Sequence, residues 1–398
     1  MKTNKKIAII GGGILGLSVA YKLTLNNFHV HVFEKESEIG SHQSGRNSGV
    51  LHCGLYYQPG SLKAKLAVNG IKEMTSFCNK YQINHDICGK VVVATNDRES
   101  KDLQELAKRG TKNGLKGLKY LDKSELKRRE PYVIAKKALL VPGEGIVDYK
   151  AVMLKLVQLI KERGGKLSYN NSVKKIVTES RNLVSIENEN STYNFDYIVS
   201  CSGLWSDVTY KNLTLSKPSV KIIPFRGEYF KFKSSYKNRV NHLIYPVPNS
   251  KYPFLGVHFT RTVNGDREVG PNAVLALKRE GYSRASFSLK DAFQTLTYPG
   301  LVRFIYKNFS FSVNEFKSSL FKKDFVKKAQ RIIPEIDSSM LESGITGVRA
   351  QAISSDGELE MDFNIIRKGR QVHILNAPSP GATASLAIAS HIIKKYIT

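Results

Sequence analysis

The chain has 398 residues, of which 41% are hydrophobic and 10% aromatic, with 61 lysines and arginines against 34 acidic residues. This length is sufficient for two or three domains around a sizeable core, and the composition is that of an ordinary globular protein. The longest apolar stretches fall short of the roughly 18 residues that a membrane-spanning helix requires, which excludes a helical integral membrane protein.

The first 34 residues have the pattern of a dinucleotide-binding unit. An apolar strand (5–10) leads into Gly11-Gly12-Gly13-Ile14-Leu15-Gly16, which opens a helix, and a second strand (28–33) ends at Glu34. The glycines permit a tight turn, a close approach of a pyrophosphate and close packing of helix on strand. Free N–H groups at the helix N-terminus favour phosphate, and an acid at Glu34 favours the unphosphorylated ribose of NAD or FAD.

Two other interpretations of this segment and of the cysteines are weaker. Basic residues before an apolar run suit a signal peptide, but the run is interrupted by glycines and no small-residue cleavage site follows. Cys53, Cys78, Cys88 and Cys201 form no CxxC pair, so we interpret them as reduced thiols of a cytosolic protein. No HExxH motif or cluster of histidine and cysteine is present, and we expect no metal site.

The net charge of +27 is extreme, and three explanations compete for it. It can follow from a lysine-rich and asparagine-rich composition, from binding to nucleic acid, or from adhesion to an anionic membrane. No nucleic-acid-binding motif accompanies the charge, so we rank that explanation last and expect no nucleic acid partner.

Further along the chain, short strands alternate with helices. A Gly/Ser/His/Asn-rich stretch (40–60) is a candidate for wrapping a cofactor. An apolar strand ending in small residues (197–203) lies far from the first such strand, which implies a nucleotide-binding domain interrupted by insertions. The other predicted strands are 88–95, 166–170, 173–178, 183–188, 193–194, several between 220 and 275, and 372–375; the predicted helices are 121–130, 149–163, 285–335 and 384–396.

Several of these segments resemble one family. The fingerprint with Glu34, the strand end at Ser202-Gly203 and the glycine turn before the last helix resemble the D-amino-acid-oxidase-like FAD oxidoreductases. Within that group the sequence is most similar to the L-2-hydroxyglutarate dehydrogenases and oxidases. The matching strings follow in order over nearly the whole chain: 41–57, 224–229, 244–248, 254–261, 270–273, 347–351 and 376–380. Arg46 stands where many relatives have histidine, and Cys53 where alanine or serine is usual.

The resemblance implies an α/β fold, with an FAD-binding Rossmann-like domain interrupted by insertions. These insertions form an α+β substrate domain with an antiparallel or mixed sheet. The FAD-binding domain is then expected to comprise 1–85, 148–218 and 341–398, and the substrate domain 86–147 and 219–340.

The resemblance also implies that the C2 alcohol of L-2-hydroxyglutarate is oxidised to 2-oxoglutarate, with hydride transfer to flavin N5 and electrons passing to quinone or oxygen. A dehydrogenase or oxidase of a related 2-hydroxy acid or amino acid is the alternative. A dianionic substrate requires two cationic anchors. Arg349 is the candidate for the carboxylate beside the reacting carbon, and Arg261, with Arg226 in reserve, is the candidate for the distal carboxylate. Tyr57 is a further candidate for substrate binding.

The alcohol proton requires a base with a pKa near neutrality, for which histidine is the usual choice. His258 lies on a predicted strand, and His52 follows the loop that should approach the flavin, so either can be that base. The residues expected to bind FAD are Gly11, Gly13, Ile14, Gly16, Glu34, Lys35, Ser44, Arg46, Asn47, Ser48, Val173, Ser202, Gly203, Pro380, Gly381, Ala382 and Thr383.

Residues 303–331 mix basic and aromatic side chains, a composition that suits contact with anionic lipid. The charged residues are Arg303, Lys307, Lys317, Lys322, Lys323, Lys327 and Lys328, and the apolar ones are Phe304, Phe309, Phe311, Phe316, Leu320, Phe321 and Phe325. A solvated basic face over buried phenylalanines explains the pattern equally well. We therefore expect a cytoplasmic protein that is either free or peripheral on the inner membrane face.

Overall fold

The computed structural model describes residues 5–180, 183–188, 191–248, 256–308 and 322–398. Its helices are α1 (Ile14–Leu25), α2 (Leu62–Lys80), α3 (Asp97–Lys112), α4 (Lys123–Arg129), α5 (Tyr149–Glu162), α6 (Ser206–Thr214), α7 (Leu289–Leu296), α8 (Pro299–Lys307), α9 (Lys322–Gln330) and α10 (Ser385–Ile392). A π-helical turn (Ile393–Ile397) extends α10 to the end of the chain.

The strands cluster in three groups along the chain. The first group is β1 (Lys6–Ile10), β2 (His29–Phe33), β3 (Val50–Leu51), β4 (His85–Asp86), β5 (Lys90–Ala94), β6 (Lys119–Leu121), β7 (Lys137–Val141) and β8 (Gly145–Val147). The second is β9 (Lys166–Ser168), β10 (Lys175–Glu179), β11 (Val184–Glu187), β12 (Thr192–Phe195) and β13 (Tyr197–Ser200). The third is β14 (Val220–Phe232), β15 (Leu243–Pro246), β16 (His258–Arg261), β17 (Arg267–Gly270), β18 (Val274–Leu275), β19 (Leu341–Ser354), β20 (Asn364–Lys368) and β21 (Gln371–Asn376).

The dinucleotide-binding sheet has the strand order β20-β21-β13-β1-β2-β9. Strand β1 lies at its centre, parallel to both β2 and β13, and Ile7 and Ile9 are fully buried. A strand buried on both faces must be apolar throughout, which is why this segment has no alternating pattern. Helix α1 packs against α5 and α10. The predicted α/β fold is confirmed, because the strand near residue 200 pairs directly with the first strand of the chain.

A larger mixed sheet carries the second half of the architecture. Its main order is β18-β14-β17-β16-β15-β5-β7-β6, and β19 pairs with β14. Strands β15 and β5 run parallel, whereas β14 and β19 are antiparallel along most of their length. The strands predicted between residues 220 and 275 are present, but the long strand β19 was not predicted, although the string 347–351 within it belongs to the family resemblance.

The pairing of β19 bears on the expected domain boundaries. We propose the division into five segments with one correction: the last boundary follows Ser354 and not residue 340. Strand β19 belongs to the larger sheet, because its register with β14 runs from Val220↔Ser354 to Phe232↔Leu341. The segment after Ser354 returns to the dinucleotide-binding sheet through β20 and β21.

A small sheet of β3, β8 and β4 lies beside the other two. Strands β3 and β8 are antiparallel, with Leu51 opposite Gly145. In an antiparallel pair, the residue that follows one partner lies next to the residue that precedes the other. The register therefore places His52 beside Glu144, two residues that are 92 positions apart in the chain.

The helices form where the sequence predicts them with three exceptions, one of which is the short helix α6. Helix α4 lies within the predicted segment 121–130, and Asp122 caps it in a capping box with Glu125. The long helices α2 and α3 were not predicted, although side chains of Ser61 and Asn96 cap their first turns. The predicted helical stretch 285–335 contains α7, α8 and α9, and its part at 309–321 lies outside the described residues. Among the described helices, none is long and apolar enough to cross a membrane.

Candidate active site

The glycine turn packs tightly against the end of β13. Gly11 has φ +107°, and a Cβ added there would lie 2.5 Å from the carbonyl oxygen of Cys201. A Cβ added at Gly16 would lie 2.0 Å from the carbonyl oxygen of Gly11. Only glycine fits these two positions, so the backbone at the start of α1 stays open for a phosphate, as the fingerprint predicts.

The acid at the end of β2 faces this turn. The Glu34 carboxylate accepts hydrogen bonds from the N–H of Gly12 at 2.6 Å and of Glu36 at 2.9 Å. Ser44 reaches the same turn from the following loop, and its hydroxyl accepts from the N–H of Ile14 at 3.0 Å. Because Gly13, the cap residue of α1, has no side chain, the first turn of that helix is exposed towards the cleft.

One cleft of about 370 Å³ extends from this turn to the start of α10. It is lined by residues from both large sheets and from the loop after β2. The sequence-predicted residues that line it are Gly13, Ile14, Ser44, Arg46, Asn47, Ser48, His52, Gly203, His258, Arg349, Pro380, Gly381, Ala382 and Thr383. Folding therefore brings together both candidate histidines, the first candidate arginine and most of the candidate cofactor residues.

The loop between β2 and β3 is held by its own polar side chains. The Asn47 amide donates to the carbonyl of Ser44 at 2.8 Å, and its oxygen accepts from the N–H of Gly49 at 2.9 Å. Arg46 donates through Nε to the carbonyl of Ser41 at 3.0 Å, and its guanidinium lies 4.1 Å from the ring centroid of Tyr282. These contacts fix the loop that forms one wall of the cleft.

Thr383 joins the last glycine turn to this wall. Its hydroxyl lies 2.8 Å from the Tyr149 hydroxyl and accepts from the N–H of His52 at 3.2 Å. Thr383 is 1% exposed, so these bonds form in a buried setting where unpaired groups would be costly. The position of His52 is thus coupled to the segment that precedes α10.

His258 is a buried, neutral histidine. Its Nδ1 lies 2.9 Å from the carbonyl oxygen of Gly256, so Nδ1 carries the proton and Nε2 is left as an acceptor. The ring stacks on Tyr245 with centroids 4.0 Å apart and planes inclined by 19°. Burial lowers the pKa of His258 to about 3, and the carbonyl of Gly256 only partly opposes this shift. The ring therefore stays uncharged across the physiological range.

His52 has a different partner. Its Nδ1 lies 3.2 Å from Oε2 of Glu144, whose carboxylate also accepts from the Cys53 N–H at 3.2 Å. Burial lowers the pKa of His52, Glu144 opposes that shift, and the charges of Lys90 and Lys63 add to it. An imidazole that donates Nδ1–H to a carboxylate keeps Nε2 as its basic nitrogen.

Glu144 is paired with a buried lysine. Lys90 Nζ lies 2.6 Å from Glu144 Oε2, and both side chains are fully buried. The ammonium also lies 4.0 Å from the ring centroid of Tyr245 and 5.0 Å from that of Tyr56. Burial opposes ionisation of Glu144, but the charges of Lys90 and His52 outweigh it and lower the pKa of this carboxyl.

Two further cations border the cleft. Arg349 lies on β19 and interacts with the Tyr229 hydroxyl, which also contacts Ser48. Lys63 is 8% exposed and donates through Nζ to the carbonyl of Met361 at 2.8 Å. Burial lowers the pKa of Lys63 to about 8, although Asp362 partly offsets the shift. Arg349 lies on a strand of the larger sheet and Lys63 on helix α2, and both line the same cavity.

The other candidate substrate residues lie elsewhere. Arg261 pairs with Asp86 at 3.1 Å and is outside the cleft lining. Arg226 donates to the carbonyl of Ser283 at 2.9 Å and lies beside Glu228, also away from the lining. Tyr57 borders the cleft indirectly, since it contacts Ser379 and lies beneath the Lys63 ammonium at 4.9 Å.

Some candidate cofactor residues support the cleft without lining it. Val173 packs against the apolar cluster behind β1 and β2, and the Ser202 hydroxyl lies 3.1 Å from that of Ser200.

Lys35 forms an ion pair with Glu280 at 2.7 Å and contacts Glu36. Glu36, His42 and Glu280 are close enough together to hold a cation, but the Lys35 ammonium already lies among them as their counter-charge.

Sequence reasoning missed Glu144, Lys90 and Lys63. Two signals were available: Lys90 opens the buried strand Lys-Val-Val-Val-Ala, and Glu144 stands between two glycines. A charged residue next to a fully apolar strand indicates a buried charge that needs a partner. The partner itself could not be found, because it depends on the pairing of β3 with β8.

Known proteins with similar sequences are FAD-dependent oxidoreductases. The sequence model of the family described as "FAD dependent oxidoreductase" (DAO) matches residues 6–394. The L-2-hydroxyglutarate dehydrogenase of Indibacter alkaliphilus is 42% identical over 97% of this chain and 97% of its own length. That of Escherichia coli K12 is 40% identical over 98% of this chain and 92% of its own. The chain belongs to the L-2-hydroxyglutarate dehydrogenase family of FAD-dependent oxidoreductases.

The fold is shared more widely than the sequence. The dithionite-reduced L-α-glycerophosphate oxidase of Mycoplasma pneumoniae, a structure with FAD bound, superposes with a TM-score of 0.77 at 22% identity. The superposition covers 98% of this chain and 94% of that one. At this identity the likeness establishes the fold, and the family membership above establishes FAD as the cofactor.

The residues of this family member fit FAD. The turn at Gly11 and Gly16 leaves no room for a Cβ, and the uncapped start of α1 offers N–H groups to a pyrophosphate. Glu34 has carboxylate lone pairs for ribose hydroxyls, and Gly13 and Thr383 line the same cleft. Most of the cofactor residues predicted from sequence thus line one cavity.

Proposed function

We propose that this chain oxidises the C2 alcohol of L-2-hydroxyglutarate to 2-oxoglutarate. The observation that carries the proposal is one cleft in which two histidines and the cations Arg349 and Lys63 meet the dinucleotide-binding turn. FAD, when bound there, takes up the two electrons that the alcohol releases. The names of the family members at 40–42% identity support this substrate class.

Arg349 is proposed to bind the carboxylate beside the reacting carbon. A guanidinium binds a carboxylate through two parallel hydrogen bonds and so fixes its orientation. The contact between Arg349 and Tyr229 holds the guanidinium at the cleft wall. Arg349 therefore sets which face of C2 is presented to the cofactor.

Lys63 is proposed to bind the distal carboxylate. Sequence reasoning favoured Arg261 and Arg226 for this role, but both side chains are engaged outside the cleft lining. Lys63 lines the cleft on the side of Pro378 and Ser379, and its burial strengthens an interaction with an anion. Two cations on opposite domains favour a dicarboxylate over a monocarboxylic hydroxy acid.

His52 is proposed to accept the alcohol proton at Nε2. A carboxylate on Nδ1–H stabilises the imidazolium that forms, and Glu144 supplies that carboxylate. His258 has only a backbone carbonyl on Nδ1 and a pKa of about 3, so it is the weaker base. We assign His258 the role of an acceptor that orients the alcohol through Nε2.

We further propose that a surface on α7 and α8 contacts anionic lipid. Phe304 and Phe325, which the sequence placed in a lipid-binding segment, are only 5% and 1% exposed and pack in the core, so they cannot serve as lipid contacts. Phe309, Phe311, Phe316, Lys317, Leu320 and Phe321 of that segment lie outside the described residues.

A neighbouring set of side chains is exposed instead. Apolar residues with 51–86% exposure are Phe287, Leu289, Phe293, Leu296, Val302 and Tyr306, which we call the α7–α8 surface. Exposed basic residues Lys290, Arg303 and Lys307 lie on the same helices. Exposed apolar and basic side chains on the same two helices, in a chain of net charge +27, suit an anionic bilayer. Such contact favours membrane quinone over oxygen as the electron acceptor.

We expect L-2-hydroxyglutarate to bleach the flavin absorbance of the anaerobic holoenzyme, because it supplies both carboxylates and a C2 alcohol. D-2-hydroxyglutarate and L-lactate should reduce the flavin at least about tenfold more slowly. The first has the opposite configuration at C2, and the second lacks the distal carboxylate. Stopped-flow absorbance measures the rates, and admission of air or a soluble quinone then identifies the acceptor. Faster reduction by an amino acid or by L-lactate would support the alternative substrate class, and no reduction by any of them would exclude an oxidoreductase of this type.

Arg349→Lys should lower kcat/KM by about a hundredfold, roughly 2.7 kcal/mol, because a lysine cannot form the two parallel bonds. The matched control is Arg261→Lys, a conservative change at an arginine that pairs with Asp86 outside the cleft lining. Steady-state kinetics with L-2-hydroxyglutarate compare the two. Equal losses in both variants, or near-wild-type kinetics for Arg349→Lys, remove Arg349 from the proposed site.

The pKa of Lys63, lowered to about 8, predicts weaker substrate binding in mild alkali. As the pH rises through that value Lys63 loses its charge, so kcat/KM should fall by about tenfold from pH 7 to pH 9. Lys63→Arg keeps its charge in this interval and should show no such fall. A decline that persists unchanged in Lys63→Arg assigns the titration to another group.

The α7–α8 surface should bind vesicles of phosphatidylcholine and phosphatidylglycerol, and the binding should weaken with salt, which screens the basic residues. Leu289→Ser/Phe293→Ser should sediment with the vesicles about tenfold less than the wild type, because two exposed apolar anchors are lost. The control is Ile134→Ser, a change at another exposed apolar side chain away from these helices. If all three proteins sediment alike, this surface is not the lipid contact.

A further inference from the structure

An ion pair, Lys90 with Glu144, lies beside His52. The side chains of Lys90 and Glu144 are both completely buried. Removing both charges from water carries a large desolvation cost, and an apolar pair of similar volume is often at least as stable. A buried ion pair that borders an active cleft is therefore a candidate for a functional role.

Each oxygen of Glu144 has a defined set of partners. Oε1 accepts from the Cys53 N–H at 3.2 Å and lies 3.3 Å from its Sγ. Oε2 lies 2.6 Å from Lys90 Nζ and 3.2 Å from Nδ1 of His52. With its other oxygen held by a backbone amide, the carboxylate cannot rotate freely, so its lone pair at Oε2 has a fixed direction towards the imidazole.

Lys90 is also connected to the second histidine. Its Nζ lies 4.0 Å from the centroid of Tyr245, and the His258 ring stacks on Tyr245 at the same distance. Two groups this close to one ring centroid must occupy opposite faces. One ammonium thus contacts the carboxylate that holds His52 and the aromatic ring that supports His258.

We propose that Lys90 and Glu144 are positioning residues for the alcohol oxidation, because their ion pair holds the proton of His52 on Nδ1 and leaves the lone pair of Nε2 for the substrate. The consequence for catalysis rests on the proposed function. The tautomer of His52, by contrast, is a property of the chain that can be measured without substrate.

The first experiment determines that tautomer. The ¹⁵N NMR signals of selectively labelled histidine in the holoenzyme, assigned with His52→Gln, should give Nδ1–H for His52 in the wild type. In Glu144→Gln the amide group can donate to Nδ1 and stabilise the other tautomer, so the signal should change. An Nδ1–H signal that is identical in both proteins overturns the proposal, whatever the substrate proves to be.

The second experiment uses the direction of a pH shift. Among the described residues, the charged and titratable groups that act on His52 include Glu144, Lys90 and Lys63, and His52 in turn acts on His258. Glu144 raises the pKa of His52 and Lys90 lowers it. In the pH profile, kcat/KM falls on the acid side as His52 becomes protonated. This acid limb should therefore move to lower pH in Glu144→Gln and to higher pH in Lys90→Met. Limbs that stay in place, or that move in the same direction, contradict the assignment.

A matched control separates positioning from loss of a buried carboxylate. Glu130 is also fully buried and accepts from Nδ1 of His242 at 2.8 Å, but neither residue lines the cleft. Glu130→Gln should leave the acid limb and kcat unchanged, whereas Glu144→Gln should lower kcat by about a hundredfold with little change in KM. Equal effects of the two substitutions indicate a purely structural role for Glu144 and overturn the proposal.

A double variant keeps the test decisive if a single substitution prevents folding. Lys90→Met/Glu144→Gln removes both buried charges together, a change that proteins tolerate better than removal of one partner. This variant should retain bound flavin yet show the altered His52 tautomer and the loss in kcat. Wild-type values for both would show that the ion pair does not position His52.

Discussion

The ion pair between Lys90 and Glu144 is the contact on which the arrangement of the cleft depends. It joins β5 of the larger sheet to the turn before β8 of the small sheet, and it is shielded completely from water. Its cost is offset by the Cys53 amide, the His52 ring and the faces of two tyrosines. Since the pair and its partners come from four separate parts of the chain (52–56, Lys90, Glu144 and Tyr245), the pair is satisfied only in the fully folded protein.

The same arrangement explains why the two histidines differ chemically. Both rings line one cleft, and burial lowers the pKa of each. A carboxylate faces Nδ1 of His52, whereas only the carbonyl of Gly256 faces Nδ1 of His258. A single difference in the acceptor thus separates a side chain suited to take a proton from one suited to accept a hydrogen bond.

The excess of basic residues is not concentrated in the cleft. Lys63, Arg349 and Arg46 are the lysine and arginine side chains among the residues that line it, while the chain as a whole carries 61. Most of the charge therefore lies elsewhere and can act through long-range attraction to an anionic surface or substrate. In the proposed membrane contact, the exposed apolar side chains of α7 and α8 mark the place where that attraction would act.

The sequence by itself determined the dinucleotide-binding turn, Glu34, the interrupted α/β architecture and the family, because these depend on local spacing and on long strings in order. It also placed His52, His258 and Arg349 among the candidates that now line the cleft. It could not choose between the histidines or find Lys63, Lys90 and Glu144. Only the tertiary structure shows the surroundings of these residues, since the register of Leu51 with Gly145, the burial of Lys90 and the engagement of Arg261 by Asp86 all arise from contacts between distant segments. Local sequence encodes the turn and the strand, whereas the pKa and the partner of a buried charge are set by whatever the rest of the chain packs against it.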